Sequence, residues 1–487
     1  MAQQAHILIL GLGISGLSMA RWRARTAGSA ALRVADTRDK PPALEALQRE
    51  LPQAQFISGA FSEALLDGVG EVLVSPGIEP TEPLLAAARA KGLPIHGELE
   101  LFAQALQQLQ QERGWQPKVL AVTGTNGKTT VTALTGKLLQ SAGLDVAVAG
   151  NIGRALLDEL GARLDAGRLP QAWALELSSF QLHAHATQAP QMAEEGSPFA
   201  FRPTAATVLN VTQDHLNWHG SMAAYAADKE RVFGVQGTLV LCRDDAVVMA
   251  MRAGALAGRA AVTFGMDAPQ AAGDFGLQNI DGALWLVRAG GGGALQKLLP
   301  VDALRIRGLH NASNALAALA LAAEVGCPMD AMLQGLQEYD GEKHRVQPVG
   351  ELDGVEYFDD SKGTNVGATL AAVQGLGAQR RLVVILGGDG KGQDFSPLAV
   401  PLAACARALV FIGRDGPQIR AALAQLDVPM LDAKDMNEAV QLARRHAQPG
   451  DAVLLSPACA SLDMYRDYAA RAQAFCDALR AQQEAAA

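Results

Sequence analysis

The chain has 487 residues, 49% apolar and 19% charged, an ordinary globular composition that is too long for one core, so about two to four domains are expected. A net charge of −9 argues against a broad nucleic-acid or anionic-membrane surface, and an anionic ligand must then be held by a few placed cations and backbone nests. The five cysteines, Cys242, Cys327, Cys405, Cys459 and Cys476, are scattered without a C-x-x-C pair, which argues against a disulfide frame or a zinc site.

The opening MAQQAHILILGLGISGL has no basic residue ahead of its apolar run and reads as a strand and turn, not a signal peptide. His6–Leu10 is the strand and 15–26 the helix. Between them lies Gly11-Leu12-Gly13-Ile14-Ser15-Gly16, and Asp36 ends the next strand, Leu32–Asp36. This satisfies the dinucleotide fingerprint, with the acid placed for a ribose hydroxyl. Alone it suggests an NAD enzyme, yet the same geometry suits any pyrophosphate on a ribose, including a nucleotide sugar. A third strand is expected at 72–75. A Leu/Gln-rich helix then stops at the breakers Gly114-Trp115-Gln116-Pro117.

Residues 119–130, VLAVTGTNGKTT, read as a buried strand, a glycine turn and a Lys-Thr pair opening a helix. Gly124, Thr125, Asn126, Gly127, Lys128, Thr129 and Thr130 would cradle nucleotide phosphate with backbone N–H groups and a helix N-terminus. Lys128 adds a charge near the terminal phosphates, and the Thr129 hydroxyl suits Mg²⁺. Val122 stands where the common pattern has its first glycine, so the loop is a shortened G-x-x-G-K-T.

Strands follow near 146–149, 172–177 and 205–210, with an Ala-rich helix at 311–325 too short for a membrane span. Gly290-Gly291-Gly292-Gly293 reads as an exposed turn. Gly150-Asn151-Ile152-Gly153 ends one strand and Glu176 another, where a buried carboxylate needs a cation. His215 lies in N-V-T-Q-D-H and Lys229 on a helix. Carboxylate, imidazole and threonine hydroxyl near a nucleotide phosphate make a plausible Mg²⁺ shell. His219 is a second imidazole candidate. Residues 194–203 carry Gly and Pro and read as a surface loop. The composition turns polar around 339–350, and strands at 381–386, 408–412 and Ala452–Leu455 restart the alternation. Strands alternating with helices predict three α/β domains, 1–116, 117–343 and 344–487, Rossmann-like at both ends with a phosphate-loop ATPase-like unit between.

The motifs G-T-N-G-K-T-T, G-N-I-G, E-L-S-S-F-Q-L, N-V-T-Q-D-H, H-N-A-S-N-A, D-D-S-K-G-T-N, L-G-G-D-G-K-G and L-S-P-A-C-A-S-L-D together resemble the Mur ligases, ATP-dependent amide ligases of peptidoglycan precursor synthesis. The resemblance implies that Lys128 and Thr129 hold ATP phosphates and one Mg²⁺, shared with Glu176. It also implies that His215 and Lys229 bind a second Mg²⁺, the lysine carrying a CO₂-derived carbamate, and it favours His215 over His219. Asn311, Asn314, Arg345 and Asp360 would grip the nucleotide. Ile14, Ser15, Asp36, Thr37, Arg38, Ser75, Gly77 and Asn151 would hold UDP-N-acetylmuramoyl-L-alanine. Lys362, Thr364, Lys391, Ser461 and Tyr468 would hold the incoming amino acid. Two lysines and three hydroxyls suit a diacid, in keeping with D-glutamate. A cytoplasmic monomer with no nucleic-acid or membrane partner is expected. The competing readings are a ligase of different amino-acid specificity, an NAD-dependent oxidoreductase and a non-catalytic nucleotide-binding regulator. The intact Lys128, Thr129, Glu176, His215 and Lys229 disfavour the regulator.

Overall fold

The computed structural model describes residues 5–187, 196–378 and 380–486. Among them are three helix-covered, mostly parallel sheets. The first holds β1 (His6–Leu10), β2 (Leu32–Asp36), β3 (Gln55–Ser58), β4 (Val69–Val74) and β5 (Ile95–His96) in the order β3-β2-β1-β4-β5, all parallel. The strand expected at 72–75 is the second half of β4. β3 and β5 carry little signal in the sequence because β3 is only half-buried and β5 has two residues. The helix Ile14–Ala27 packs hard on the glycine turn: a Cβ at Gly16 would lie 2.0 Å from the Gly11 carbonyl oxygen.

The central sheet holds β6 (Lys118–Thr123), β7 (Val146–Gly150), β8 (Ala172–Glu176), β9 (Ala205–Val208), β10 (Thr238–Cys242), β11 (Ala261–Phe264), β12 (Phe275–Ile280), β13 (Ala283–Ala289) and β14 (Leu295–Pro300). Its order is β14-β13-β12-β11-β10-β9-β6-β8-β7, parallel from β7 to β12 and antiparallel beyond. The strands after 210 in this unit go beyond the sequence expectation; β13 and β14 are half-exposed hairpin strands, a weak apolar signal. The glycine tract is their exposed connection.

The last sheet holds β15 (Gln347–Leu352), β16 (Val355–Asp359), β17 (Leu382–Gly387), β18 (Ala406–Ile412), β19 (Met430–Asp432) and β20 (Ala452–Leu455), ordered β15-β16-β20-β17-β18-β19, with only β15–β16 antiparallel. Successive side chains of a strand face opposite ways. Leu382, Val384 and Leu386 accordingly enter one core and Val383 and Ile385 another.

The first two units share a core. Leu99, Leu101 and Phe102 of the helix Glu98–Arg113 pack into the central cluster, Phe102 edge-on to Trp173 at 5.0 Å. That helix stops at Gly114, whose φ of 65° is the left-handed cap glycine tolerates. The surface loop expected at 194–203 is corrected in part. Glu194 and Glu195 lie outside the described residues, but Phe199 stacks on His96 at 4.2 Å, and Ala200 and Phe201 are buried. The aromatic content outweighs the Gly and Pro signal. No helix among the described residues is long and apolar enough to cross a membrane.

Candidate functional site

β6 ends at Thr123, and the chain turns through Gly124 and Gly127 into the helix Lys128–Ser141. Gly127 has φ 84° and a Cβ there would meet Asn314 Oδ1 at 2.6 Å, so the turn needs glycine on both counts. The loop is held from beside β9: Asn126 N–H donates to Asn210 Oδ1 (2.9 Å), Thr125 N–H to Asn210 O (2.9 Å) and Thr125 Oγ1 to Thr212 O (3.1 Å). Lys128 Nζ donates to the carbonyls of Gly124 (2.9 Å) and Thr125 (2.8 Å). Thr129 and Thr130 are buried. Asn311 sits behind the loop with Asn314, accepting from its Nδ2 at 3.1 Å and donating to Arg307 O at 2.8 Å.

Lys229 reaches the same turn from 105 residues away, Nζ donating to Gly124 O at 2.8 Å and lying 4.2 Å above the Tyr225 ring. It is 1% exposed. Burial, then the Lys128 charge, holds its ammonium well below the usual lysine range. Burial also lowers Lys128. His215 stands at φ 54°, its ring edge-on to Phe180 at 4.9 Å. Burial lowers its pKa to about 4 although Asp214 lies 3.5 Å away, so at neutral pH it offers a lone pair. Glu176, at the end of β8, is buried; Oε1 accepts from Asn151 Nδ2 at 2.8 Å, and Oε2 has no hydrogen-bond partner among the described residues. A buried, orphaned carboxylate oxygen calls for a cation. Asn151 thus touches Glu176, supported by Gly150, where a Cβ would lie 2.3 Å from the Glu176 carbonyl oxygen.

The last unit docks on this loop. Arg345 Nη2 donates to Thr129 Oγ1 (3.1 Å), Asn365 Nδ2 to Asn126 Oδ1 (3.1 Å) and Asp214 Oδ2 (3.2 Å), and Lys391 Nζ to Asp214 Oδ1 (3.1 Å). β16, β20 and β17 are adjacent and parallel, so the loops after them gather at one sheet end, where open α/β sheets bind ligands. These loops carry Asp360, Lys362 and Thr364; Ser456 and Ser461; and Lys391. Burial raises the Asp360 carboxyl to about 7; it accepts from Ser456 Oγ at 2.6 Å. Burial, then Arg345, lowers Lys362 to about 8, and its ammonium lies 5.5 Å over the Tyr468 ring. Thr364 is half-buried and Ser461 buried. Asp214, Asn365 and Asn210 join the site without a sequence expectation of their own. Their only signal was membership of N-V-T-Q-D-H and D-D-S-K-G-T-N.

In the first sheet the ends of β1, β2 and β4 gather Ile14, Ser15, Asp36, Thr37, Arg38, Ser75 and Gly77. Ile14 is 76% exposed, and Thr37, Arg38 and Gly77 are also exposed. Ser75 Oγ donates to Gly11 O at 2.7 Å. Asp36, expected as an acceptor for a ribose hydroxyl, has both oxygens engaged. Leu12 N–H (2.7 Å) and Arg38 Nη2 (2.8 Å) reach Oδ2, while Arg38 N–H (2.9 Å) and Nε (2.8 Å) reach Oδ1. Burial pushes this carboxyl up, but Arg38 and the two backbone donors outweigh it and hold the pKa at about 2. Asp36 therefore braces the glycine turn and presents Arg38. His219, the second imidazole candidate, turns to Asp228 instead, Nδ1 to Oδ2 at 2.8 Å.

Three family models match the chain: the Mur ligase MurD-like N-terminal domain over residues 5–97, the Mur ligase middle domain over 122–322 and the Mur ligase glutamate ligase domain over 344–459. The UDP-N-acetylmuramoylalanine–D-glutamate ligase of Albidiferax ferrireducens is 56% identical, the match covering 98% of this chain and 96% of that protein. The enzyme of the same name from Cupriavidus pinatubonensis is 53% identical, with 97% and 96% covered. Among solved structures, the UDP-N-acetylmuramate–alanine ligase of Thermotoga maritima matches with a TM-score of 0.59 at 19% identity, covering 98% of this chain and all of that one. The folylpolyglutamate synthase of Mycobacterium tuberculosis matches with 0.55 at 15% identity, covering 77% and 95%. At those identities the two structures speak for the fold alone.

Proposed function

The chain belongs to the Mur ligase family, and we propose that it joins D-glutamate to UDP-N-acetylmuramoyl-L-alanine, consuming ATP, in cytoplasmic peptidoglycan precursor synthesis. The full-length match to relatives named for that reaction carries this reading. The first unit takes the nucleotide sugar, the central unit ATP and the last unit the amino acid.

In the first step a carboxylate oxygen of the L-alanyl group attacks the γ-phosphorus, the bond to the bridging oxygen breaks and ADP leaves. In the second the D-glutamate amine attacks the acyl-phosphate carbonyl, the C–N bond forms, and phosphate and the amine proton depart. Lys128 and the loop N–H groups hold phosphate charge, and catalysis of this class is mostly positioning and electrostatics. The donor set fits Mg²⁺: orphaned Glu176 Oε2, the Thr129 hydroxyl, and a His215 ring that is unprotonated at neutral pH. The metal, when bound, neutralises charge on the transferred phosphoryl group. Lys229 suits a carbamate because burial favours its uncharged amine, the form that adds to CO₂ with loss of one proton. Lys362, Lys391, Ser461, Thr364 and Tyr468 receive the amino-acid carboxylates. Burial of Lys362 leaves it cationic up to about pH 8.

Mg²⁺-dependent phosphate release from ATP with UDP-N-acetylmuramoyl-L-alanine, across a panel of amino acids including both glutamate enantiomers, tests the assignment. Release with D-glutamate alone, and a product heavier by one glutamyl unit, is expected. Release with another amino acid moves the specificity, and release with none removes the ligase reading.

A further inference from the structure

Asp228 precedes Lys229 on the helix Met222–Glu230, and the two side chains take different partners. Lys229 goes to the phosphate loop. Asp228, 3% exposed, accepts at Oδ2 from His183 Nδ1 and His219 Nδ1, both at 2.8 Å, and its Oδ1 lies 3.3 Å from Arg231 Nε. The His219 side chain is fully buried, and its Nε2 lies 3.0 Å from Ser179 Oγ. Phe180 stacks on the His219 ring at 5.5 Å and meets the His215 ring edge-on at 4.9 Å.

The partners come from three segments, each bearing a residue of the site. Ser179 and His183 lie on the helix Ser179–Thr187, which starts three residues after Glu176. His219 ends the short helix Leu216–His219, which opens directly after His215. Asp228 lies beside Lys229. Two imidazoles and a carboxylate could also suggest a metal centre. Ligands sharing one tetrahedral ion with bonds of about 2.1 Å stand roughly 3.4 Å apart, whereas 2.8 Å is hydrogen-bond contact. The arrangement also balances the buried charge of Asp228 with two N–H donors and a guanidinium.

We propose that Ser179, His183, His219 and Asp228 form a positioning network that fixes the aim of Lys229 and its spacing from Glu176 and His215. This rests on the function proposed above. None of the four touches the reacting atoms; they act by locking the rotation of one helix against the segments carrying the other ligands. Groups standing behind metal ligands commonly change metal affinity about 10–100-fold when lost.

The test uses Asp228→Asn and His219→Ala in the full chain, with His183→Gln, at the half-exposed rim, as a third variant should either fail to fold. Mn²⁺ affinity of the protein–ADP complex, read by electron paramagnetic resonance without turnover, is expected to weaken about ten-fold. The half-saturating Mg²⁺ concentration for phosphate release should rise in parallel, while the KM for D-glutamate and the affinity for the nucleotide sugar stay unchanged. His219→Gln should recover part of what His219→Ala loses. Metal dependence within two-fold of the parent in the folded variants would overturn the proposal, as would a stoichiometric zinc ion bound at these histidines. The parent protein and Lys229→Ala separate the two levels: if the parent releases no phosphate with D-glutamate the proposed function fails, whereas if the parent is active, Lys229→Ala is dead and Asp228→Asn keeps parental metal affinity, only the network fails.

Discussion

Lys229 is the residue whose surroundings constrain it most: 1% exposed, against Gly124 O and the face of Tyr225, with Lys128 on the same carbonyl. Lys128 and Lys229 converge on one carbonyl acceptor, and two like charges so close and so buried are unfavourable for stability alone, which is part of what lowers the Lys229 pKa. Lys229→Ala should therefore abolish amide synthesis, more than a hundred-fold by phosphate release, while the thermal unfolding transition stays cooperative; near-parental turnover would remove the lysine from the site. Asp36→Ala tests the other end of the molecule. With the brace on Leu12 N–H and Arg38 lost, nucleotide-sugar affinity should drop about ten-fold or more, since hydrogen bonds to charged groups contribute about 1.5–3 kcal/mol. ATP affinity should not change. Equal binding of the sugar nucleotide by calorimetry would free Asp36 of that role.

Between elements, Glu98 is the most informative contact. It is 2% exposed, and Oε1 accepts from Ser18 Oγ (2.8 Å) on the first helix and from Leu157 N–H (3.3 Å) at the start of the helix Leu156–Asp165. Burial raises its carboxyl to about 7. A raised carboxyl pKa means the folded state holds a proton that the unfolded chain gives up above about 4.5, so this group's contribution to stability is fullest below about pH 4.5 and is lost as pH rises to about 7. Glu98→Gln imitates the protonated form. It should gain stability relative to the parent as pH goes from 4.5 to 8, by on the order of 3 kcal/mol. Denaturant melts at pH 5 and 8 check this, and parallel stability curves for the two proteins would contradict it. The same scale explains what the sequence hid. The Glu98–Ser18 contact joins residues 80 apart, and no local pattern marks a glutamate on a helix as buried.

For the whole molecule, the first two units share one apolar core, whereas the last unit has its own two cores and reaches the phosphate loop through Arg345 and Asn365 and the nearby Asp214 through Lys391. Polar contacts of this kind exchange with ligand or water more readily than a common core parts. Rigid-body rotation of the last unit is thus the expected motion, bringing the amino acid to the acyl phosphate and excluding water. Small-angle scattering profiles with and without ADP, nucleotide sugar and D-glutamate should differ. Superimposable profiles would rule the rotation out.

Glycine turns, the Lys128-Thr129 pair and the strand ends carrying Asp36 and Glu176 were legible because each depends on neighbours a few residues away: a positive φ, a helix start, an apolar run stopping at a charge. The half-exposed strands β3, β13 and β14 were not, because their residues alternate too weakly to declare a face. Only the fold decided that Lys229 meets Gly124, that Asp214 pairs with Lys391 and Asn365, that Asp36 is already engaged, and that His219 serves Asp228 and not the phosphate loop. Those facts depend on which strands lie side by side and which helix faces which, and such pairings between distant segments are set by packing of the whole chain, not by any stretch of it.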